Sequence, residues 1–344
     1  MKVGLICDTH WGARKGSKLF QDYFEEFYKN VFFPKLEEEN ISTVIHLGDA
    51  FDSRKSIDYQ SLEWTKRVIL DPLSKYKVHM IVGNHDVYYK NTNNINSPTL
   101  LLKNYSNIKT YKNPEIVNID NTDILFIPWI CSDNEEMTYN LVKTSKCDIS
   151  MGHLEMSGFQ AYRGHTMEDG MDSSIFNSYK KVFSGHYHTR SDNDKIFYMG
   201  NPYEMFWNDV DDQRGFVIFD TETLDHYYVN NPYSLFKIIY YSDDDLKKVN
   251  VEDYENKIVK VIVRKKTCSN KFEKFIDKLY KSGVAELKVV ENFQLVEIED
   301  FNISESEDTL SILSRYIEES EVEIDKSSIK NMIFDIYQEA CDIV

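Results

Sequence analysis

The chain has 344 residues, of which 42% are hydrophobic and 14% aromatic, and its formal net charge is -17. This length predicts about two domains, and the acidic charge argues against a protein that coats nucleic acid by bulk electrostatics. No apolar stretch approaches the roughly 20 residues of a membrane span, and the N-terminus has no signal-peptide pattern. Five cysteines without a CxxC spacing are typical of reduced core residues. We therefore expect a cytoplasmic protein with no membrane association.

Strands and helices alternate from the N-terminus to about residue 86. The pattern predicts strands over 2–7, 43–47 and 78–82, separated by helices over 17–39 and 58–76. Such alternation is typical of a mainly parallel sheet with helices on its faces.

The next segment, 88–114, is polar and rich in Asn, and is predicted to be a long loop with a short helix at 99–103. A Gly-rich, charged segment at 158–172 is expected to extend over the functional site. The other elements expected here are a helix at 134–146 and strands at 124–129, 148–151, 181–184, 195–199 and 215–220.

The succession of predicted strands and helices ends near Tyr241 and resumes after an acidic run, so we expect a first domain at 1–241. A strand, a helix and a strand at 257–264, 271–281 and 285–290 then predict a small βαβ domain within 242–300. It is basic, with ten Lys or Arg residues against three Asp or Glu residues between Lys257 and Lys288.

Residues 301–344 read as an acidic linker followed by two amphipathic helices. Positions 289–344 contain three Lys or Arg residues against fifteen Asp or Glu residues. In the second helix Ile329, Met332 and Ile336 lie on one apolar stripe. This stripe either packs on its own domain or binds a partner, and both interpretations remain open.

Five apolar runs end beside residues that can bind a metal, and four of the five end at a glycine. Glycine lets the backbone turn tightly and approach a bound group. Ligands gather at the carboxyl ends of parallel strands, so these side chains are expected to lie together. They are Asp8, His10, Asp49, Asn84, His85, His153, His186 and His188.

Oxygen and imidazole donors of this kind suit Mn, Fe or Zn at a hydrolytic site. A carboxylate such as Asp49 can bridge two ions, which together clamp the attacking and leaving oxygens at phosphorus. We expect His85 to stabilise developing charge or to protonate the leaving oxygen, with Asp86 orienting its ring. His46 lies within a predicted strand and is expected to be a core residue. Each motif alone is weak evidence, but five in this order are hard to obtain by chance.

The motifs resemble those of the calcineurin-like metallophosphoesterases over about the first 240 residues. The resemblance implies an α/β fold, a metallophosphoesterase β-sandwich flanked by helices, followed by the small βαβ cap domain and a C-terminal helical tail. The run Gly48-Asp49-Ala50-Phe51-Asp52 and the Gly-His-Tyr-His ending are similar to DNA repair nucleases of the SbcD and Mre type. The sequence around Ile127-Pro128-Trp129 also resembles the recombination nuclease subunits of T-even-like phages. The motifs are Asp8-x-His10, Gly48-Asp49, Gly83-Asn84-His85-Asp86, Gly152-His153 and Gly185-His186-Tyr187-His188.

This resemblance implies two divalent metal ions, with Mn expected and Mg as the alternative. His85 would be the catalytic histidine. Some relatives have a second histidine where this chain has Asp52, so no role is carried over to that position. One ion would be held by Asp8, His10, Asp49 and His188, and the other by Asp49, Asn84, His153 and His186.

The function implied is a DNA nuclease for recombination and double-strand break repair, exonucleolytic on duplexes and endonucleolytic on single strands. Its partners would be DNA, facing the cap, and an SMC-like, Rad-type ATPase whose coiled coil binds the C-terminal helices. A homodimer is expected through helices near 58–76 and the loop after Asp86, in the host cytoplasm if the chain is phage-encoded. Candidate phosphate contacts are Arg14, Lys15, Lys18, Arg54 and Lys55, with Lys265, Lys266 and Lys271 in the cap.

Two other functions fit parts of the sequence. A phosphatase or small-molecule phosphodiesterase would use the same two-metal core but needs neither a basic cap nor a tail for a coiled coil. A non-enzymatic scaffold for an ATPase complex would need none of the candidate ligands, and the complete set argues against it.

Overall fold

The computed structural model describes residues 1–244 and 249–291. Two six-stranded sheets pack face to face within this region. In spatial order, the first sheet contains His226–Asn230, Gly215–Asp220, Lys2–Ile6, Thr43–His46, Lys77–Ile81 and Ile108–Tyr111. The second contains Ser191–Asp192, Ile196–Tyr198, Lys181–Gly185, Ile149–His153, Thr122–Ile127 and Glu115–Ile119.

Four consecutive strands in each sheet are parallel. The first sheet has two antiparallel strands on one side of this set, and the second has one at each edge. The central parallel strands are buried along nearly their whole length, as expected for strands covered on both faces. The carboxyl ends of the parallel strands in one sheet lie at the same edge, so residues that follow these strands become neighbours.

Three apolar layers hold the sandwich together. Residues such as Leu5, Phe126 and Phe183 fill the space between the sheets. Helical residues such as Phe24 cover the outer face of the first sheet, and Val142 belongs to the layer on the outer face of the second. The predicted α/β sandwich flanked by helices is confirmed.

The two long helical segments are each interrupted by a π-helical turn just before a proline. The first runs through Lys18–Phe27, Tyr28–Phe32 and Phe33–Glu38, and the second through Tyr59–Thr65, Lys66–Leu70 and Asp71–Leu73. Pro34 and Pro72 have no backbone N–H and cannot complete the normal α-helical bond, which favours a local change of helical register.

The segment 88–114 is more ordered than the predicted loop. Val87–Tyr89 and Thr92–Asn96 form a hairpin, the helix Ser97–Leu101 follows, and Ile108–Tyr111 completes the first sheet. The edge strands Glu115–Ile119 and His226–Asn230 were also not predicted, because their alternating, partly exposed residues carry little apolar signal. The excursion at 158–172 contains a hairpin of Gln160–Tyr162 and His165–Thr166.

Four shorter helical elements lie elsewhere in the described part of the chain. They are the helix Glu135–Thr144 and three 3₁₀ turns, Ser173–Phe176, Trp207–Asp209 and Val251–Tyr254. The segment Ala13–Gly16 is an irregular turn in which Arg14 and Lys15 have positive φ. No helix in the described residues is long and apolar enough to cross a membrane.

The cap contains three parallel strands, Phe236–Ser242, Ile258–Lys265 and Glu286–Val290, and the helix Ser269–Lys281 covers one face of this sheet. The domain boundary predicted near Tyr241 falls within the first of these strands, which pairs with Ile258–Lys265. The predicted linker and helices at 301–344 lie outside the described residues.

His79 is a buried histidine on the third parallel strand, and its Nδ1 lies 2.6 Å from the Tyr111 hydroxyl oxygen. Burial, followed by the nearby charges of Lys77 and Lys109, lowers the pKa of His79 to about 4. An unfolded chain has a histidine pKa of about 6.5. Between these values only the unfolded state takes up the proton, so the free energy of unfolding falls as the pH is lowered.

Between pH 7 and pH 5, we expect the free energy of unfolding to fall by about 2 kcal/mol less in His79→Gln than in the wild-type protein. Urea unfolding of both proteins at both pH values measures this difference, and His165→Gln serves as the control for a less buried histidine. Equal losses in the wild type and His79→Gln would contradict the expectation.

Candidate metal centre

Every candidate ligand lies at the carboxyl end of a parallel strand. The first sheet supplies Asp8 and His10 after Lys2–Ile6, Asp49 after Thr43–His46, and Asn84 after Lys77–Ile81. The second sheet supplies the rest. His153 is the last residue of Ile149–His153, and His186 and His188 follow Lys181–Gly185. The structure brings all seven predicted ligands together where the two sheets meet.

The ligand atoms form two groups that meet at Asp49. Asp8, His10 and His188 place one ligand atom each within 4.8 Å of one another, and Asp49, His153 and His186 do the same. Asp49 Oδ2 lies 3.3 Å from His153 Nε2 and 3.9 Å from His10 Nε2, so this carboxylate stands between the groups.

Asn84 belongs to the second group. Its Oδ1 lies 2.8 Å from His153 Nε2 and 3.0 Å from His186 Nδ1. The other ring nitrogen of His153, Nδ1, donates to the carbonyl oxygen of Leu47 at 2.8 Å. A backbone acceptor of this kind orients a metal-ligating imidazole and leaves its Nε2 pointing into the site.

Four of the candidate ligands have left-handed backbone conformations. The φ angles of Asp8, His10, Asp49 and His186 are 51°, 43°, 53° and 87°. Such conformations cost roughly 1–3 kcal/mol each and persist only where surrounding structure enforces them. Four such residues lie at one edge of the sandwich. The surrounding structure therefore holds the site in this geometry despite its cost in backbone energy.

Gly48 and Gly83 are required by close packing rather than by turns alone. A Cβ on Gly48, whose φ is 97°, would overlap the His153 ring, and a Cβ on Gly83 would overlap the Asp49 carboxylate and backbone. The glycines in the sequence motifs therefore leave room for the ligands next to them.

The centre is buried and strongly charged. Burial and the neighbouring Asp49 raise the pKa of Asp8. Burial also opposes ionisation of Asp49, but the adjacent His153 and His85 outweigh it and hold the pKa of Asp49 well below its usual range. Burial disfavours protonation of His10 and His153, yet the surrounding carboxylates raise the pKa of each to about 9.

His10 provides a direct test of whether the residues fit a metal. Both of its ring nitrogens are buried and make no hydrogen bond with a described residue, although Nδ1 lies 3.4 Å from Asp52 Oδ1. A buried polar atom without a partner is costly. A divalent cation held by the surrounding oxygen and nitrogen donors would satisfy the ring, so the residues fit such an ion.

His85 stands beside the two groups. Its backbone N–H donates to Asp49 Oδ1 at 2.7 Å, and its ring Nδ1 donates to the carbonyl oxygen of Asp52 at 2.8 Å. The ring is therefore oriented by a backbone oxygen, and its Nε2 is available to a substrate.

The expectation that Asp86 orients the His85 ring was wrong. Asp86 is buried and accepts backbone N–H groups of Ala50 and Phe51, both at 3.1 Å, and of Gly83 at 2.9 Å. These hydrogen bonds hold the loop of Asp49 next to the loop that carries Asn84 and His85.

Arg214 is a supporting residue that the sequence did not reveal. Its buried guanidinium donates to the backbone oxygen of His188 and to Asn201, and pairs with Asp209 at 2.9 Å and Asp212 at 2.8 Å. The clustered aspartates before it were the available signal, but such a cluster is more often solvated. His46, predicted to be a core residue, is buried, with its Nε2 2.9 Å from the Thr9 hydroxyl.

Comparison with known proteins places this centre in a family. Residues 1–190 match the family described as calcineurin-like phosphoesterase. A curated relative, "Exonuclease subunit 1" of Enterobacteria phage T4, is 33% identical over 321 residues, which is 92% of each chain.

Two solved structures have weaker similarity. A dimetal phosphatase from Danio rerio is 10% identical, with 63% of this chain and 91% of that chain covered and a TM-score of 0.41. A nuclease MPE from Pseudomonas putida is 14% identical, with 66% and 86% covered and a TM-score of 0.30. These TM-scores are too low to support an argument about fold or function. The family match and the curated relative do support one: the chain belongs to the calcineurin-like phosphoesterases.

Proposed function

We propose that this protein is a metal-dependent DNA nuclease that hydrolyses phosphodiester bonds, as an exonuclease on duplexes and an endonuclease on single strands. The observation that carries the proposal is the convergence of seven oxygen and nitrogen donors at one buried edge. The similarity to a phage exonuclease subunit over 92% of both chains supports DNA as the substrate. Recombination and double-strand break repair are the setting we propose.

Two divalent ions, with Mn favoured over Mg, are proposed to bind here. Asp8, His10 and His188 would hold one, and Asn84, His153 and His186 the other, with Asp49 shared between them. Bound cations of this kind stabilise charge on the phosphoryl oxygens and activate water for attack at phosphorus.

His85 is proposed to act on the leaving oxygen. Its Nδ1–H is bound by the Asp52 carbonyl, so Nε2 is the atom that can carry or accept a proton at the substrate. Asp52 supplies this orientation through its backbone oxygen, while its side-chain Oδ1 lies 3.4 Å from His10 Nδ1.

We expect His85→Gln to lower kcat for DNA digestion by about 10²–10⁴-fold, because it removes a positioned proton-transfer group. Metal content should stay unchanged, since His85 lies outside both proposed ligand sets. The assay is release of labelled nucleotide from a linear duplex with Mn²⁺, alongside metal analysis of both proteins and an EDTA control.

His226→Gln, on an outer strand of the first sheet, is the matched control and should digest DNA normally. Full activity of His85→Gln would contradict the assigned role. Activity of the wild type on nucleotides or phosphoproteins but not on DNA, even with an ATPase partner, would favour the phosphatase alternative.

Metal binding should release protons. Imidazoles must be neutral to bind a metal, and His10 and His153 have pKa values of about 9 without one. Protonated imidazoles compete with the metal, so we expect Mn²⁺ affinity to rise with pH until about pH 9. Calorimetry in buffers of different ionisation enthalpy counts the released protons.

Asp49→Asn should weaken Mn²⁺ binding in the same experiment, because both proposed sites lose a negative ligand. Asp148→Asn removes an exposed carboxylate paired with Lys180 and serves as the control. Binding heats that do not depend on the buffer would contradict the expected proton release.

We propose that the chain is organised as a nuclease domain, a DNA-facing cap and a C-terminal region at 301–344 that binds an SMC-like ATPase. The basic composition of the cap supports contact with DNA. The name of the phage T4 relative describes a subunit, which supports a partner protein. The proposed location is the cytoplasm.

A homodimer is proposed through an apolar surface beside the centre. Tyr88, Ile95 and Leu100 are 42, 46 and 59% exposed. They surround a cavity of about 180 Å³ that Ile57 and Leu101 also line. Exposed apolar clusters of this kind mark protein contacts, and this one coincides with the loop expected at the interface.

The double change Ile95→Glu and Leu100→Glu should convert the dimer to a monomer, because it would bury two carboxylates at the contact. Light scattering coupled to size exclusion measures the mass. Ile116→Glu is the control, since Ile116 is 43% exposed on an edge strand of the second sheet. A monomeric wild type would refute the interface.

A further inference from the structure

An exposed aromatic side chain lies next to the candidate metal centre. The ring of Phe206 is nearly parallel to that of His188, with 18° between the planes and 6.1 Å between the centroids. Phe206 is 37% exposed. The guanidinium of Arg14 lies 4.9 Å from the Phe206 ring centroid and donates to the Met205 carbonyl oxygen at 3.0 Å. An aromatic surface and a cation are therefore available beside a proposed metal ligand.

The turn that carries Phe206 and Trp207, here called the aromatic turn, is held rigidly. Asp209 accepts the backbone N–H groups of Met205 at 2.7 Å and Phe206 at 3.0 Å. Asp209 is also paired with Arg214, which donates to the backbone oxygen of His188. One buried ion pair thus ties the aromatic turn to the metal centre.

Trp207 connects the aromatic turn to the cap. Its ring contacts Phe236, at the start of the cap sheet, with centroids 5.0 Å apart. The Lys260 ammonium lies 4.1 Å from the Trp207 ring centroid. Phe236 is buried, so it is the contact between Trp207 and Lys260 that joins the aromatic turn to the second cap strand.

The cap helix covers only one face of the cap sheet. Its contacts include Ile239, Tyr241 and Val261, and residues that alternate with these point to the opposite side. That side, called the open cap face, carries Tyr240, Lys260, Ile262, Arg264 and Lys288. Tyr240 is 49% exposed, and the Arg264 guanidinium lies 3.9 Å from its ring centroid.

The positive charges of the open cap face are largely uncompensated. Lys260, Arg264 and Lys288 form no ion pair with a described residue. By contrast, Lys265 pairs with Asp244 at 2.7 Å, and Lys266 pairs with Glu291 at 2.6 Å. Glu286, next to Lys288 on the outer strand, is the one carboxylate that the described register places on this face. In an acidic chain, this local excess of positive charge complements a polyanion.

We infer that the aromatic turn and the open cap face form a track that binds single-stranded DNA and leads it to the metal centre. The inference rests on the proposed nuclease function and adds which strand form is bound and by which residues. Unpaired bases can stack on the rings of Phe206 and Tyr240 and on the plane of Arg264, while Lys260 and Lys288 neutralise phosphates. A duplex would keep its bases stacked inside and could not use these rings.

The test compares two faces of the cap in full-length protein that also carries His85→Gln, with Mn²⁺ present. The probes are fluorescein-labelled oligo(dT) of about 20 nucleotides, long enough for several stacked bases, and a duplex of equal length. Fluorescence anisotropy gives the dissociation constants. Tyr240→Ala is matched by Tyr280→Ala, a tyrosine that is 61% exposed on the cap helix. The double change Lys260→Ala and Arg264→Ala is matched by Lys274→Ala and Lys278→Ala on that helix.

We expect Tyr240→Ala to weaken oligo(dT) binding about fivefold, the effect of losing one stacked base. The Lys260 and Arg264 double variant should weaken it about tenfold and lower the slope of log affinity against log salt by about 0.7, since one phosphate contact and one stacking plane are lost. The helix variants should bind like the parent, and duplex binding should change by less than twofold in all of them.

Hydrolysis of bis(p-nitrophenyl) phosphate by the same cap variants with His85 intact separates this inference from the proposed function. That substrate is too small to reach the open cap face, so its turnover should be unchanged. Normal oligo(dT) binding by the Tyr240 and Lys260 variants would overturn the track, as would equal losses for duplex and single strand. Absence of phosphodiester hydrolysis and of DNA digestion in the wild type would instead contradict the proposed nuclease function.

Discussion

The structure depends on Asp49, a buried carboxylate held between two histidine clusters where the two sheets meet. Its backbone has positive φ, and its oxygens contact His153 and the backbone of His85. The strained turns around it are maintained because the strands that precede them are clamped in a close-packed sandwich. The sheets therefore do more than provide stability, since they hold buried carboxylates and imidazoles close together at one edge.

Two buried side chains that are not candidate ligands, Asp86 and Arg214, hold the surrounding loops in place. Asp86 collects three backbone N–H groups and joins the loop after the second strand to the loop after the third. Arg214 performs the equivalent task on the other sheet, where it links His188 to the turn of Phe206 and Trp207. The loops that bear Asp49, Asn84 and His188 are thus fixed by hydrogen bonds with little access to solvent, which keeps these bonds strong.

The cap differs from the sandwich in having one covered face and one accessible face. Its helix buries Phe272 and Phe275 against the sheet, while the other side presents Tyr240 and three cations. Because Phe236 and Ile258 belong to the main core, the cap sheet is anchored at the end nearest the centre. This arrangement provides a basic and aromatic surface on one side of the cap sheet.

The family, the sandwich and the candidate ligands could all be predicted from the amino-acid sequence, because each ligand lies at or just after the end of the apolar strand that positions it. Tertiary structure alone decided the roles of Asp86 and Arg214, whose partners lie on other loops. It also decided that Phe236–Ser242 pairs with Ile258–Lys265, since an apolar strand does not reveal which later strand it pairs with. The edge strand His226–Asn230 and the open cap face were likewise undetermined, because pairing and exposure depend on neighbours that are distant along the chain.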